Sequence, residues 1–229
     1  TMLSGMLDGT TVNGTLTIAL VDQTGGTVVA QALTLVDSTL DDAAGDVLKL
    51  DGNGLTSDTL NFNGAAEDDS KVSVTGGAGN DTIVGTNSAL TDTLTGGSGN
   101  DTIQGQAGAD SLVGGVGNDT FVYNSASDES DVGEVIDGSS NTDRILVTGT
   151  GATTVDFTND TIISIETLDM TQDSVGAADG ADQTVQMTNA QIDSLSTIYS
   201  NAGTSTLNVS DMVIVSDAVT AGMLDGTVV

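Results

Sequence analysis

The chain has 229 residues, and its 33 acidic side chains against three basic ones give it a formal net charge of −30. Such a chain repels nucleic acid and anionic membranes, so neither is an expected partner. Cations are the expected partners. The absence of His and Cys excludes Ser-His-Asp, Cys-His and zinc-His sites as well as disulfides, and no enzymatic activity is expected. No run of about 18 apolar residues predicts a membrane span.

High acidity with only 2% aromatic residues is typical of disordered chains. Hydrophobic residues nevertheless make up 37% of this chain, and they occur in short clusters at regular intervals. A disordered tail has no such regularity. The sequence therefore predicts an ordered protein whose negative charge is neutralised by something that it binds.

Residues 1–45 predict an N-terminal β segment that acts as a cap. The stretch Gly14–Asp37, GTLTIALVDQTGGTVVAQALTLVD, alternates apolar and polar residues as longer β-strands do. Gly25 and Gly26 lie between the two alternating runs and predict a turn there.

Residues 46–170 predict a β-solenoid. Short apolar clusters begin 9 to 14 residues apart, with Gly, Asn, Asp and Ser between them. Such strands suit the coils of a solenoid, because each coil completes its core only by stacking on the next. A β-sandwich is the alternative, and the fixed nine-residue period in the middle of the segment favours the solenoid. The predicted strands are Val47–Leu50, Thr59–Phe62, Lys71–Val74, Thr82–Val84, Thr93–Thr95, Thr102–Gln104, Ser111–Val113, Thr120–Tyr123, Glu134–Ile136, Arg144–Val147, Thr154–Phe157 and Ile165–Met170.

Residues 171–229 predict a C-terminal β segment with one short helix. Within Thr188–Asn201, the apolar residues Ile192, Leu195 and Ile198 recur at helical spacing, and Thr188 is a candidate N-cap. Strands are expected to resume in Ser205–Val215.

One nine-residue motif, Gly-Gly-x-Gly-Asn-Asp-Thr-apolar-x, occurs three times in the solenoid segment. Glycine at the first, second and fourth positions predicts backbone angles that a Cβ atom would forbid. Asparagine at the fifth position tolerates left-handed angles, and aspartate at the sixth supplies a carboxylate. The copies are Gly76–Val84, Gly96–Gln104 and Gly114–Val122, and their asparagines are Asn80, Asn100 and Asn118. The apolar side chains expected to point inward are Ile83, Ile103 and Phe121, together with Leu112 from the related unit that begins at Gly105.

The motif has the chemistry of a calcium site. A tight glycine-rich loop exposes carbonyl oxygens, and these with one carboxylate per turn are the hard oxygen ligands that Ca²⁺ takes, six to eight at about 2.3–2.6 Å. Successive nonapeptides are expected on opposite edges of the coil, so the same edge returns after 18 residues, as between Gly96 and Gly114. Gly76 and Gly96 are 20 residues apart because the unit between them is two residues longer. Each ion is then expected between two turns of one edge.

These repeats resemble the RTX (repeats-in-toxin) calcium-binding β-roll, over a segment from about Gly64 to Val147. The resemblance implies an all-β fold, a parallel β-roll or β-solenoid with Ca²⁺-binding nonapeptide turns, and several Ca²⁺ ions as cofactors, about two to four. In that family each turn offers its first, third and sixth residues to one ion, and its second, fourth and sixth residues to the next.

The resemblance implies three sites on one edge of the roll, the third through a degenerate turn. The first site joins Gly77, Gly79 and Asp81 to Gly96, Ser98 and Asp101; the second joins Gly97, Gly99 and Asp101 to Gly114, Val116 and Asp119; the third joins Gly115, Gly117 and Asp119 to Gly138, Ser140 and Asp143. On the opposite edge, only Gly105, Ala107 and Asp110 fit the pattern, with the loop Ser127–Asp131 as the other half of a site. Gly85–Asp92 lacks the glycines.

The expected role is structural. The hexapeptide GMLDGT occurs at residues 5–10 and again at 222–227, which is typical of one period of a tandem array; the alternative is that both ends use the same turn. Resemblance to large RTX adhesins and surface-layer proteins implies type I secretion and self-association in a bacterial surface layer, adhesin stalk or extracellular filament. The alternatives are a ligand-binding adhesin module, with a surface polysaccharide or host ligand as partner, and the export and folding domain of an RTX enzyme or toxin.

Overall fold

The computed structural model describes residues 14–22, 30–35, 47–124, 132–149, 154–173, 184–200, 206–209 and 224–225, and every structural statement concerns these. They form three parallel sheets and one short helix, α1 (Asn189–Ser194). Sheet A contains β1 (Thr15–Val21), β3 (Val47–Gly54), β5 (Lys71–Gly77), β7 (Thr93–Ser98), β9 (Ser111–Val116), β11 (Val135–Ser140) and β14 (Thr161–Ile163), in that order. Sheet B contains β2 (Ala30–Thr34), β4 (Thr59–Asn63), β6 (Thr82–Val84), β8 (Thr102–Gln104), β10 (Thr120–Tyr123), β12 (Arg144–Gly149), β15 (Thr167–Asp173), β17 (Thr197–Ser200) and β19 (Leu224–Asp225). Sheet C contains β13 (Thr154–Asp156), β16 (Thr184–Met187) and β18 (Thr206–Val209).

From β1 to β12 the chain alternates between sheets A and B, so each pair of strands is one coil of a roll. The register keeps equivalent residues of successive coils together: Ile83 pairs with Ile103 in sheet B, and Leu94 pairs with Leu112 in sheet A. Every strand pair in these two sheets is parallel, as stacking in one direction requires. The predicted fold class, an all-β parallel β-roll, is confirmed.

The core lies between the inner faces of sheets A and B. Because side chains alternate across a strand, every second residue points into this space. Ile83, Ile103, Leu112 and Phe121 all have 0% of their surface exposed, which confirms the four inward positions expected from the motif. With so few aromatic residues, Leu, Ile and Val fill most of the core, one layer per coil.

The N-terminal strands belong to the same two sheets as the rest of the roll. β1 pairs with β3, and β2 pairs with β4, both in parallel. The turn expected at Gly25–Gly26 lies outside the described residues. The division into segments 1–45, 46–170 and 171–229 stays a prediction.

At the other end of the roll, β14 is the last described strand of sheet A, and the helix α1 comes after β15 and β16 in the chain. α1 begins after Thr188, the predicted N-cap, whose hydroxyl accepts the Gln191 backbone N–H in a capping box. The helix is shorter than predicted: Leu195 is its C-cap, and Ile198 lies in strand β17. The Gln191 side chain donates to the carbonyl oxygens of Phe157 and Asp160, at 2.6 and 2.9 Å, and so attaches the helix to the turn before β14. Among the described residues, no helix is long and apolar enough to cross a membrane.

Truncating one buried side chain of the core should destabilise the roll far more than truncating a surface side chain. Phe121→Ala removes a ring that is 0% exposed and should lower the free energy of unfolding by about 3–5 kcal/mol. Val21→Ala, at a side chain that is 70% exposed, should change it by less than about 0.5 kcal/mol. Urea unfolding at saturating Ca²⁺ measures both values. Equal midpoints for the two variants would contradict the described core.

Candidate metal centre

The motif turns lie on one edge of the roll, where the chain passes from sheet A to sheet B; this is called the first edge. Its four turns are residues 76–81, 96–101, 114–119 and 138–143. Each ends in an aspartate that is almost wholly buried: Asp81, Asp101 and Asp119 are 1% exposed, and Asp143 is 0% exposed. Four carboxylates are therefore stacked one coil apart inside a chain of strongly negative charge.

One oxygen of each carboxylate beyond the first turn is held by the backbone of the preceding coil. The Asp81 N–H donates to Asp101 Oδ1 at 2.7 Å, the Asp101 N–H to Asp119 Oδ1 at 2.8 Å, and the Asp119 N–H to Asp143 Oδ1 at 2.7 Å. We call this row the carboxylate ladder. It fixes the orientation of these aspartates on the first edge, and the sequence reasoning missed it because it depends on the register between coils.

The other oxygen, Oδ2, of Asp81, Asp101, Asp119 and Asp143 is buried and has no hydrogen-bond partner among the described residues. A buried carboxylate oxygen without a partner is costly, and a cation is its natural complement. Each Oδ2 lies over the first glycine of its own turn, where an added Cβ would come within 3.0 Å of it. This close approach, and not a left-handed φ, is what requires glycine at the first position. These glycines are Gly76, Gly96, Gly114 and Gly138.

Carbonyl oxygens converge on the same spaces between coils. A Cβ added to Gly97 or Gly99 would overlap the carbonyl oxygen of Gly77 or Gly79, so both carbonyls face the following coil. The Gly96 carbonyl faces back toward Gly76 in the same way. Together with Asp81 Oδ2, these atoms are four of the donors in the first implied site.

The second implied site has the same arrangement one coil further on. Added Cβ atoms on Gly115 and Gly117 would overlap the carbonyl oxygens of Gly97 and Gly99. The Gly114 carbonyl lies 2.7 Å from a Cβ built on Gly96, beside Asp101 Oδ2. Carbonyl oxygens with one anionic oxygen fit Ca²⁺. The assignment of individual ligands stays a prediction.

Two of the remaining predicted ligands, Val116 and Ser140, have other hydrogen bonds. The Val116 carbonyl accepts the Gly99 N–H at 2.8 Å, and the Ser140 hydroxyl donates to the Gly115 carbonyl at 2.9 Å. The exposed Ser98 ends β7. In the degenerate turn, Ser139 and Asn141 replace the second and fourth glycines and keep left-handed φ angles of 71° and 86°.

The expectation that Asn80, Asn100 and Asn118 adopt left-handed angles is wrong. The described non-glycine residues with positive φ are Gln106, Ser139, Asn141 and Ser164. The motif asparagines instead use their side chains: the Asn100 N–H donates to Asn80 Oδ1, and the Asn118 N–H to Asn100 Oδ1, both at 2.9 Å. Asparagine is therefore favoured here because its amide oxygen caps the turn stacked on it.

On the second edge, where the chain passes from sheet B to sheet A, one turn has the motif geometry. In Gly105–Asp110, Gln106 and Gly108 have left-handed φ angles of 74° and 118°, as do the second and fourth residues of the turns 96–101 and 114–119. A Cβ on Gly105 would lie 2.5 Å from Asp110 Oδ2 and 3.2 Å from Glu134 Oε1. Ala107 is half-buried. The loop Ser127–Asp131, expected to complete this site, lies outside the described residues, so the site stays a prediction.

In the neighbouring turn, Gly85–Asp92, hydrogen bonds from the protein satisfy the buried carboxylate. Asp92 Oδ1 accepts the Val72 N–H at 2.7 Å, and Asp92 Oδ2 accepts the Thr86 N–H at 2.7 Å and the Thr86 hydroxyl at 3.1 Å. Both carboxylate oxygens thus have partners. This agrees with the departure of the turn from the glycine pattern.

The burial of the ladder has an electrostatic consequence. Desolvation raises the pKa of Asp81 to about 6, of Asp101 to about 7 and of Asp143 to about 6, and it also raises the pKa of Asp119. The ion pair found in the described residues joins Arg144 to Asp169 at 3.3 Å. No group of three or more acidic side chains converges within the described part of the chain, so the candidate sites consist mainly of backbone carbonyls.

Comparison with known proteins identifies the repeats. Residues 73–89 and 86–121 match the family model of the RTX calcium-binding nonapeptide repeat, in four copies. No curated protein and no solved structure matched the chain. The resemblance seen in the sequence is confirmed for this segment, and Ca²⁺ is the ion that such repeats bind.

One aspartate variant in each kind of turn gives a matched pair: Asp101 lies in a repeat turn with an unpartnered Oδ2, and Asp92 lies in the turn whose carboxylate is hydrogen-bonded. In Asp101→Asn, the amide oxygen can still accept the Asp81 N–H, but the anionic Oδ2 is lost. Because Asp101 belongs to both the first and the second implied site, we expect at least one Ca²⁺ fewer per chain and a calcium midpoint at least about tenfold higher. Asp92→Asn should lower stability by about 1–3 kcal/mol, because Thr86 loses its acceptor, but leave the ion count unchanged. Native mass spectrometry counts the ions, and a wild-type count in Asp101→Asn would contradict the site.

The raised pKa values predict how the calcium-free protein responds to pH. An aspartate whose folded pKa exceeds its ordinary value of 3.8 stabilises the fold when protonated, and this stability is lost as the pH rises through about 6–7. In calcium-depleted buffer, the β-sheet circular dichroism signal at a fixed temperature should therefore weaken from pH 5 to pH 8, a range above the pI of 4.1. Asp101→Asn should show a shallower decline. A signal that strengthens over this range would refute the prediction.

Proposed function

We propose, taking residues 73–121 as RTX calcium-binding repeats, that the chain is a secreted structural protein whose fold is completed by calcium. The observation that carries the proposal is the row of four buried, unpartnered Oδ2 atoms on the first edge. Backbone N–H groups hold Oδ1 of Asp101, Asp119 and Asp143 in place, so the row is already oriented for ions.

Calcium binding is coupled to folding in this proposal. Without a cation, the stacked carboxylates repel one another and their burial opposes folding. At the low Ca²⁺ concentration inside a cell, the chain then stays unfolded and fit for export. Outside, Ca²⁺ at millimolar concentration neutralises the first edge, and its binding free energy becomes folding free energy.

The folded roll serves a mechanical role in a bacterial surface layer, adhesin stalk or extracellular filament. Two features support assembly. The hexapeptide GMLDGT occurs near both ends of the sequence, at residues 5–10 and 222–227. Among the described strands, β1 and β2 each pair on one side only, and open parallel edges favour addition of further strands.

A second candidate function, ligand recognition, is favoured by a shallow depression on the outer face of sheet B. It has a volume of about 310 Å³ and contains an arginine and an exposed tyrosine, Arg144 and Tyr199, beside Thr120 and Thr167. A surface polysaccharide is the class of partner that such a depression would bind. This role predicts a calcium-loaded monomer, whereas the structural role predicts assembly.

A calcium titration followed by circular dichroism and light scattering tests the proposal. Starting in EGTA at pH 7.5, the β signal should appear cooperatively with added Ca²⁺, and scattering should rise at or above the same concentration. Mg²⁺ at equal concentration should be far less effective, because it dehydrates reluctantly and demands octahedral geometry. A β spectrum and melting temperature that are the same in excess EGTA would end the proposal. Folding without any rise in scattering would favour ligand recognition over assembly.

A further inference from the structure

The last aspartate of the carboxylate ladder faces a space beyond the repeats. Asp143 is 0% exposed; its Oδ1 accepts the Asp119 N–H, and its Oδ2 has no hydrogen-bond partner among the described residues. A Cβ added to Gly138 would overlap both Asp143 Oδ2 and the carbonyl oxygen of Ser164. At Gly76, the same two positions are occupied by Asp81 Oδ2 and the Gly96 carbonyl. Ser164 therefore stands where the first glycine of a further turn would stand.

The backbone around this space is held in a conformation that its side chains disfavour. Ser139, Asn141 and Ser164 have φ angles of 71°, 86° and 52°, and they are three of the four described non-glycine residues with positive φ. A left-handed φ is unfavourable for residues with a Cβ atom, although asparagine adopts it more readily than most. Ser139 and Asn141 occupy the second and fourth positions of their turn, and the carbonyls at these positions of the repeat turns face the next coil.

Glu166 takes the place of the next aspartate in the carboxylate ladder. Its Oε2 accepts the Asp143 N–H at 2.8 Å, as an aspartate Oδ1 does in the other coils. Its backbone carbonyl accepts the N–H groups of Ser196 and Thr197, at 2.8 and 3.0 Å, where β17 begins. The space beside Asp143 is thus connected directly to the strands that follow the roll.

We propose that this space binds a divalent cation between the turn 138–143 and residues 164–166, and that this cation fastens the C-terminal strands to the roll. The protein ligands are Asp143 Oδ2 and the Ser164 carbonyl, with the carbonyls of Ser139 and Asn141, and Glu166 supplies a second negative charge. The site lies outside the repeats matched at residues 73–121. It rests on the proposed function, because it takes Ca²⁺ to be the ion available to the first edge.

Glu166→Gln is the decisive variant, because the amide oxygen can still accept the Asp143 N–H while the charge is lost. Native mass spectrometry across a Ca²⁺ titration should show one binding step about tenfold weaker than in wild type, and the other steps unchanged. Asp143→Asn should lose the same ion. Hydrogen exchange at fixed, subsaturating Ca²⁺ should become about tenfold faster in β14, β15, α1 and β17, while β5 to β8 keep wild-type protection.

Asp101→Asn is the matched control, because it removes an Oδ2 inside the repeats and should accelerate exchange in β7 and β8. Wild-type calcium steps and exchange in Glu166→Gln would overturn the proposed site, even if Asp143→Asn loses an ion or fails to fold. An altered step with unchanged exchange in β14 to β17 would overturn its fastening role. If the wild-type chain itself binds no Ca²⁺, the proposed function fails as well, so the two failures are distinguishable.

Discussion

A stack of buried aspartates, each with an unpaired carboxylate oxygen, is the constraint on which this protein depends. Backbone N–H groups of the preceding coil donate to Oδ1 of Asp101, Asp119 and Asp143. Each Oδ2 is thereby oriented toward the space between coils. The hydrophobic layers favour stacking, but stacking brings like charges together in a dry place. Above the pH at which these aspartates are protonated, the core and the acidic edge are therefore compatible only when cations lie between the turns.

One turn of the second edge satisfies its buried carboxylate in a different way from the turns of the first edge. At Gly85–Asp92 the chain satisfies its buried carboxylate with Thr86, and the turn needs no ion. On the first edge the aspartates of the repeats have no such neighbour. The requirement for cations therefore falls on the repeat turns of the first edge.

Periodicity made most of the roll predictable, because every coil repeats the same short strands and tight turns. The strands from β3 to β12 lie close to the apolar clusters, and Ile103 and Phe121 point inward as expected. The prediction for the motif asparagines was wrong because their side chains contact another coil. Asn100 was expected to serve its own turn through backbone angles, but its side chain binds Asn118 of the next coil. β14 was missed although two of its three residues are isoleucines, because so short a strand does not alternate apolar and polar residues.

The sequence alone determined the coil, its parallel stacking and the calcium chemistry, since glycine, aspartate and apolar positions recur within each nonapeptide and need only local geometry to be interpreted. Tertiary structure decided three further features. It determines which carboxylate oxygen of each ladder aspartate has no hydrogen-bond partner among the described residues. It also makes Thr86 a donor to Asp92 and Glu166 the acceptor for the Asp143 N–H. These depend on register between segments 18 to 24 residues apart, or on a turn whose length departs from the repeat. A linear pattern does not contain that information, because the contacts form only when one coil lies on another.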